Sequence, residues 1–139
     1  MNYLIDTCVI SEMTRLYPES SVVSWWDSCV KSQIYISCLS IGEIHYGLSR
    51  LPDGKKKDDL LTWYKEILAT FSNRILPITD KTGIIWAEMR AQAKNKGFEL
   101  PVIDGLIAAT AKEHDLILVT RNTKDFEITN VIFSNPWVK

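Results

Sequence analysis

Residues 1–10 read MNYLIDTCVI, an apolar run, Tyr3-Leu4-Ile5, that stops at a carboxylate, Asp6. The run is too short for a helix and lacks polar alternation, the pattern of a strand buried on both faces of a parallel sheet. Runs of the same kind recur at Ile34-Tyr35-Ile36, Arg74-Ile75-Leu76, Leu116–Val119 and Val131-Ile132-Phe133. Helical spacing fills the intervals, over Val22–Lys31, Ile41–Arg50, Lys57–Phe71, Lys81–Asn95 and Val102–His114. Strands alternating with helices predict an α/β fold layered around a parallel sheet of four or five strands. Pro52-Asp53-Gly54 and Gly97 punctuate the helical segments, and no repeat or linker interrupts them. One domain over residues 1–139 is expected.

Composition narrows the function classes. Sixteen basic against seventeen acidic residues give a net charge of −1, so any polyanion must be held by a local basic groove. No apolar run approaches the ~20 residues of a membrane-spanning helix. The opening residues lack the basic and apolar regions of a signal peptide. Cys8, Cys29 and Cys38 are odd in number and show no CxxC spacing, which predicts reduced thiols and a cytoplasmic protein. The two histidines, His45 and His114, do not form a pair, and His45 faces away from Glu43 on a helix. Acyl-transfer, P-loop and dinucleotide-binding motifs are missing.

In open parallel sheets, ligands bind outside the carboxyl ends of the strands. Asp6 follows the first strand, Glu43 follows the second by one helical turn, and Asn122 follows Leu116–Val119 across Thr120 and Arg121. Asp104 opens the last long helix, after Pro101. Each also has a plain structural reading. Asp6 can cap a short helix from Thr7. Ser40-Ile41-Gly42-Glu43 matches the capping box S-x-x-E. Asp104 complements a helix dipole, and Asn122 suits a turn. Against those readings, Asp104 lies beside a core stripe of Ile103, Leu106, Ile107 and Thr110, next to a glycine that costs ~1 kcal/mol in a helix. Carboxylates gathered in a half-buried place repel one another unless a hard divalent cation sits among them. Such an ion assists phosphodiester hydrolysis.

The blocks LIDTCVISE (4–12), SCLSIGEIHYG (37–47), PVIDGLIAATAKEHDLILVTRN (101–122) and FSNPW (133–137) resemble PIN domains, and more narrowly the VapC/FitB-type toxins of toxin–antitoxin pairs. The resemblance implies a three-layer α/β/α sandwich and a Mg2+-dependent endoribonuclease, with Mn2+ able to substitute. It implies catalytic residues Asp6, Glu43, Asp104 and Asn122, of which Asp6, Asp104 and Glu43 hold the metal. It also implies an RNA substrate, a homodimer, and a complex with a cognate antitoxin whose tail lies over the active site. Two positions depart from the family pattern: Cys8 stands where an Asn is usual, and Asn122 where an Asp is usual. The first is expected to loosen hydrogen bonding around Asp6, the second to weaken the metal site or act through water. Thr120 reads as a partner of a carboxylate or a metal-bound water, or as a plain strand end, and Asp125 reads as a turn or cap. Arg15, Arg50, Lys55, Lys56 and Arg121 are the candidates for RNA phosphate contacts. Tyr46, Trp25, Trp26, Trp63 and Trp86 read mainly as core. Two alternatives stay open: a non-catalytic nucleic-acid- or partner-binding module, and a PIN nuclease of RNA processing or acting on DNA.

Overall fold

The five strands are short because each carries only the two to four residues that cross the core. The computed structural model describes residues 1–138. Strands β1 (Tyr3–Ile5), β2 (Ile34–Ser37), β3 (Ile75–Leu76), β4 (Ile117–Val119) and β5 (Phe133–Ser134) form one parallel sheet in the order β3-β2-β1-β4-β5. Leu4 lies opposite Tyr35 and Leu118, and Ile5 opposite Ile36 and Val119. Successive side chains in a strand point to opposite faces, so these two rows feed two separate cores.

On one face, Leu4 and Leu118 pack with Met89, Ala93, Ile107 and Ala108. These belong to α5 (Asp80–Asn95) and α6 (Val102–Glu113). On the other face, Ile5, Ile36 and Val119 pack with Val9, Val22, Ile44, Leu48 and Tyr64. These come from α1 (Thr7–Glu12), α2 (Ser20–Ser28), α3 (Cys38–Arg50) and α4 (Lys55–Thr70). A last short helix, α7 (Thr123–Phe126), buries Phe126 against the first core. The result is an α/β fold around a parallel sheet, as the alternation of runs predicts, arranged as the three-layer α/β/α sandwich that the resemblance implies. Among the described residues, no helix is long and apolar enough to cross a membrane.

Four details differ from the sequence expectation. Helix α3 starts at Cys38 rather than Ile41, because β2 runs directly into it and Ser37 is its cap, accepting from Leu39 N at 3.1 Å. Ser40 is therefore fully buried inside the helix and the S-x-x-E match is not a capping box. Val131 and Ile132 lie before β5, with Ile132 68% exposed. Along α6, Ile103 is 40% exposed, while the buried face runs through Gly105, Ile107, Ala108, Ala109, Thr110 and Ala111. Gly105 has a packing cause: a Cβ there would stand 2.9 Å from Leu100 Cδ2 and 3.0 Å from Trp86 Cδ1. It no longer argues for a site at Asp104.

Candidate active site

The sheet order places β1 between β2 and β4, so the chain leaves in opposite directions on either side of β1 and opens a crevice at its carboxyl end. Asp6 stands there. It caps α1, its Oδ1 accepting from Thr7 N at 2.8 Å, and its Oδ2 accepts from Thr120 Oγ1 at 2.8 Å. The Thr120 hydroxyl is itself fixed by Asn122 N, which donates to it at 3.0 Å. Both capping and clustering thus fall to Asp6. It is only 8% exposed. Burial pushes its carboxyl above the usual range and the Glu43 charge adds to this, outweighing the hydrogen bonds from Thr120 and Thr7.

Cys8 does not strip Asp6 of partners. Its Sγ lies 3.8 Å from Asp6 Oδ2 and accepts from Arg121 N at 3.5 Å. Burial, and then the Asp6 charge, push the thiol up, so it stays protonated and offers no thiolate.

Glu43, exposed in the second turn of α3, accepts from Thr7 Oγ1 at 2.7 Å. Asp104 is half-buried in the first turn of α6. Its carboxyl is pushed up to about 6, first by burial and then by Asp6, Asp125 and Glu43. Asn122 donates from Nδ2 to Asp125 Oδ2 at 2.6 Å and, more weakly, to Asp104 Oδ2 at 3.4 Å. The amide thus holds two carboxylates, and Asp125 joins the acidic group. Asn122 precedes α7 but makes no side-chain cap.

Asp6, Glu43, Asp104, Asn122, Thr7, Cys8 and Arg121 line one open cleft of about 400 Å3. Among the described residues, no Lys, Arg or His forms an ion pair with Asp6, Glu43 or Asp104. Arg121, although at the cleft, lies over the Trp137 ring instead, 5.5 Å from its centroid. Also among the described residues, no three His, Cys, Asp or Glu side chains close tightly enough to ligate one ion directly. The donor set is nonetheless all oxygen, with uncompensated charge in a cleft. It fits a hard divalent cation that keeps several waters and takes one or two carboxylates.

A larger groove of about 950 Å3 adjoins the cleft, sharing Thr7 and Glu43. Arg15, Lys55 and Lys56 line it, together with Trp63. Arg50 lines neither cavity; its guanidinium lies 5.7 Å from the Tyr46 centroid. Tyr46 is 64% exposed rather than core, whereas Trp25, Trp26, Trp63 and Trp86 are partly buried against the two cores. The sequence reading gave Thr7 only a helix start and Ser40 only a cap, and missed that both meet at the site. The signal for Thr7 was its place directly after Asp6, where its N–H had to meet the capping carboxylate.

A PIN domain family model matches residues 3–131. The chain belongs to the PIN-domain family. Among curated relatives, this PIN-domain chain is 42% identical over 135 residues to "Toxin FitB" of Neisseria gonorrhoeae, covering 96% of this chain and 97% of that one. It is 33% identical to "VapC ribonuclease Y4jK" of Sinorhizobium fredii, with 96% of each covered. Among solved structures, FitAcB from Neisseria gonorrhoeae superposes with a TM-score of 0.94 at 40% identity, covering 99% of both chains.

Proposed function

We propose that this PIN-domain chain is a metal-dependent endoribonuclease that acts as the toxin of a toxin–antitoxin pair. The observation that carries the reading is the convergence of Asp6, Glu43 and Asp104, from three separate elements, on one cleft, with no ion-pair partner among the described residues. The relatives named as a toxin and a VapC ribonuclease, alike over nearly the whole chain, support it. Metal dependence is general among such ribonucleases; Mg2+, replaceable by Mn2+, is the ion proposed.

Asp6 and Asp104 would hold the ion. When bound, it supplies an acidified water and polarises the phosphoryl oxygen. Glu43, at the exposed side of the cleft, orients the attacking water and receives its proton. Thr120 fixes the Asp6 carboxylate, and Asn122 fixes Asp104 against Asp125. Arg121 meets a substrate phosphate in the cleft, while Arg15, Lys55 and Lys56 guide the strand along the adjoining groove. Cleavage leaves a 5′-phosphate and a 3′-hydroxyl. In the cell the chain works as one PIN unit over residues 1–139, in the cytoplasm, as a homodimer, and is silenced by its antitoxin.

The test is cleavage of a panel of structured RNAs by the purified protein with Mn2+. EDTA and Asp6→Asn each stop cleavage, while the circular dichroism spectrum stays native. Intact RNA throughout, with Asp6→Asn indistinguishable from wild type in cells, would instead establish the binding module that the engagement of Asn122 by Asp125 favours. Growth arrest on expression, relieved by an adjacent antitoxin gene, separates a toxin from a processing nuclease.

A further inference from the structure

We infer that Thr7 is a positioning residue that fixes the Glu43 carboxylate relative to Asp6, with buried Ser40 fixing Thr7 in turn. This rests on the nuclease reading for its purpose but not for its geometry.

Thr7 touches both carboxylates through different atoms. Its backbone N–H donates to Asp6 Oδ1 at 2.8 Å, and its hydroxyl meets Glu43 Oε1 at 2.7 Å. The same hydroxyl oxygen lies 2.8 Å from Ser40 Oγ. A threonine hydroxyl has one proton and an ionised carboxylate only accepts. The one Thr7 proton is therefore shared between Glu43 Oε1 and Ser40 Oγ, both of which accept from it, and Ser40 anchors the hydroxyl from the buried side. Ser40 is fully buried, one turn before Glu43 on α3.

The consequence is directional. Glu43 is exposed on a flexible stem, and an unheld side chain of this type samples many rotamers. With Oε1 tied to Thr7, its other oxygen is left to face a water or an ion. Thr7 links the start of α1 to α3 across 36 residues of sequence, so the two carboxylates keep one separation. A Thr→Val change removes only the hydroxyl arm, leaving the N–H that caps Asp6 in place. The arms can thus be cut one at a time.

The test compares wild type, Thr7→Val, Thr7→Ser and Ser40→Ala. In metal-free protein, NMR of the 13C-labelled Glu43 side chain reads its order. Wild type and Thr7→Ser should show a fixed side chain, Thr7→Val a mobile one, and Ser40→Ala an intermediate one. Mn2+ titration by electron paramagnetic resonance should show about tenfold weaker binding for Thr7→Val, restored by Thr7→Ser. Cleavage should follow the same order. A Glu43 equally ordered in Thr7→Val and wild type overturns the inference, as does unchanged Mn2+ affinity in Thr7→Val. If wild type itself neither binds Mn2+ nor cleaves RNA, the nuclease reading falls alone, because the metal-free measurement still decides what Thr7 does.

Discussion

Helix α1 has a buried acid at each end: Asp6 caps its start and Glu12 is its last residue, 8% and 3% exposed. The helix dipole favours a negative charge at the start and opposes one at the end, by about 0.3–1 kcal/mol. The carboxyls are displaced the other way. Glu12 accepts from Glu19 N at 2.9 Å and from Arg15 at 3.3 Å, and these partners, the Glu19 N–H foremost, hold it below the usual range. Asp6 has hydrogen bonds but, among the described residues, no ion-pair partner, and burial holds it above that range. Hydrogen bonds to a charged group, at about 1.5–3 kcal/mol each, outrank the dipole of a six-residue helix. One end of α1 is a finished structural joint, tying the start of α2 to α1. The other is left electrostatically incomplete, and that incompleteness is what a cation would relieve.

The widest separation between the two kinds of acid is expected in activity. Asp104→Asn should lower Mn2+-dependent RNA cleavage at least ~100-fold, more than the loss of an outer partner of a ligand would. Glu12→Ala should leave cleavage per folded molecule within about twofold. It should instead lower stability by about 2 kcal/mol, because Glu19 N–H and the Arg15 charge lose their acceptor. Thermal melts together with single-turnover rates distinguish these. A folded Glu12→Ala protein that no longer cleaves would break the comparison.

The pH dependence of metal-free stability should carry opposite signs at the two sites. Asp104, raised in the folded state to about 6, binds more protons when folded than when unfolded. Its contribution is therefore best at low pH and is lost as pH rises from about 4 through 6. Glu12, lowered when folded, contributes above the unfolded carboxyl pKa and loses that contribution as pH falls. Asp104→Asn should accordingly raise the metal-free Tm at pH 7.5 by about 3 °C and leave it unchanged at pH 4. Added Mn2+ should erase that advantage by stabilising wild type alone. An Asp104→Asn protein that melts below wild type at pH 7.5 would show the cluster to be compensated without metal.

The sheet was legible because its runs are continuous and apolar, and the parallel alternation fixed which strand ends face the crevice. Asp6, Glu43 and Asn122 followed from that rule of topology rather than from local pattern, whereas Asp104, at the start of a helix, came from its place beside a core stripe and from the resemblance. What escaped were contacts between distant segments. The Thr7–Glu43 bond spans 36 residues, and the engagement of Asn122 with Asp125 depends on the turn that opens α7. The cap of α3 was misplaced because Ser37 and Ser40 are equally good cap residues; only the end of β2 pairing decides between them. Ile103 is exposed where the periodicity put it in the core stripe, and Arg50, placed by its position at a helix end, turns to the Tyr46 ring instead of either cavity.

The smallest expected effect concerns Gly105, and it separates packing from chemistry beside Asp104. Alanine in a helix interior is favoured over glycine by about 1 kcal/mol, so an open position would gain stability on Gly105→Ala. Here the added Cβ would meet Leu100 Cδ2 at 2.9 Å and Trp86 Cδ1 at 3.0 Å, and Leu100 is only 3% exposed. Overpacking a filled core costs about 1–3 kcal/mol. The balance predicts a net loss of about 1 kcal/mol, a Tm lower by roughly 3–4 °C. Because α6 must tilt away from Leu100 to accept the methyl, Asp104 in the adjoining position shifts with it, and cleavage should fall by less than tenfold. A melt at or above the wild-type Tm would mean that Leu100 and Trp86 yield freely, and that glycine here answers to the site instead of to the core.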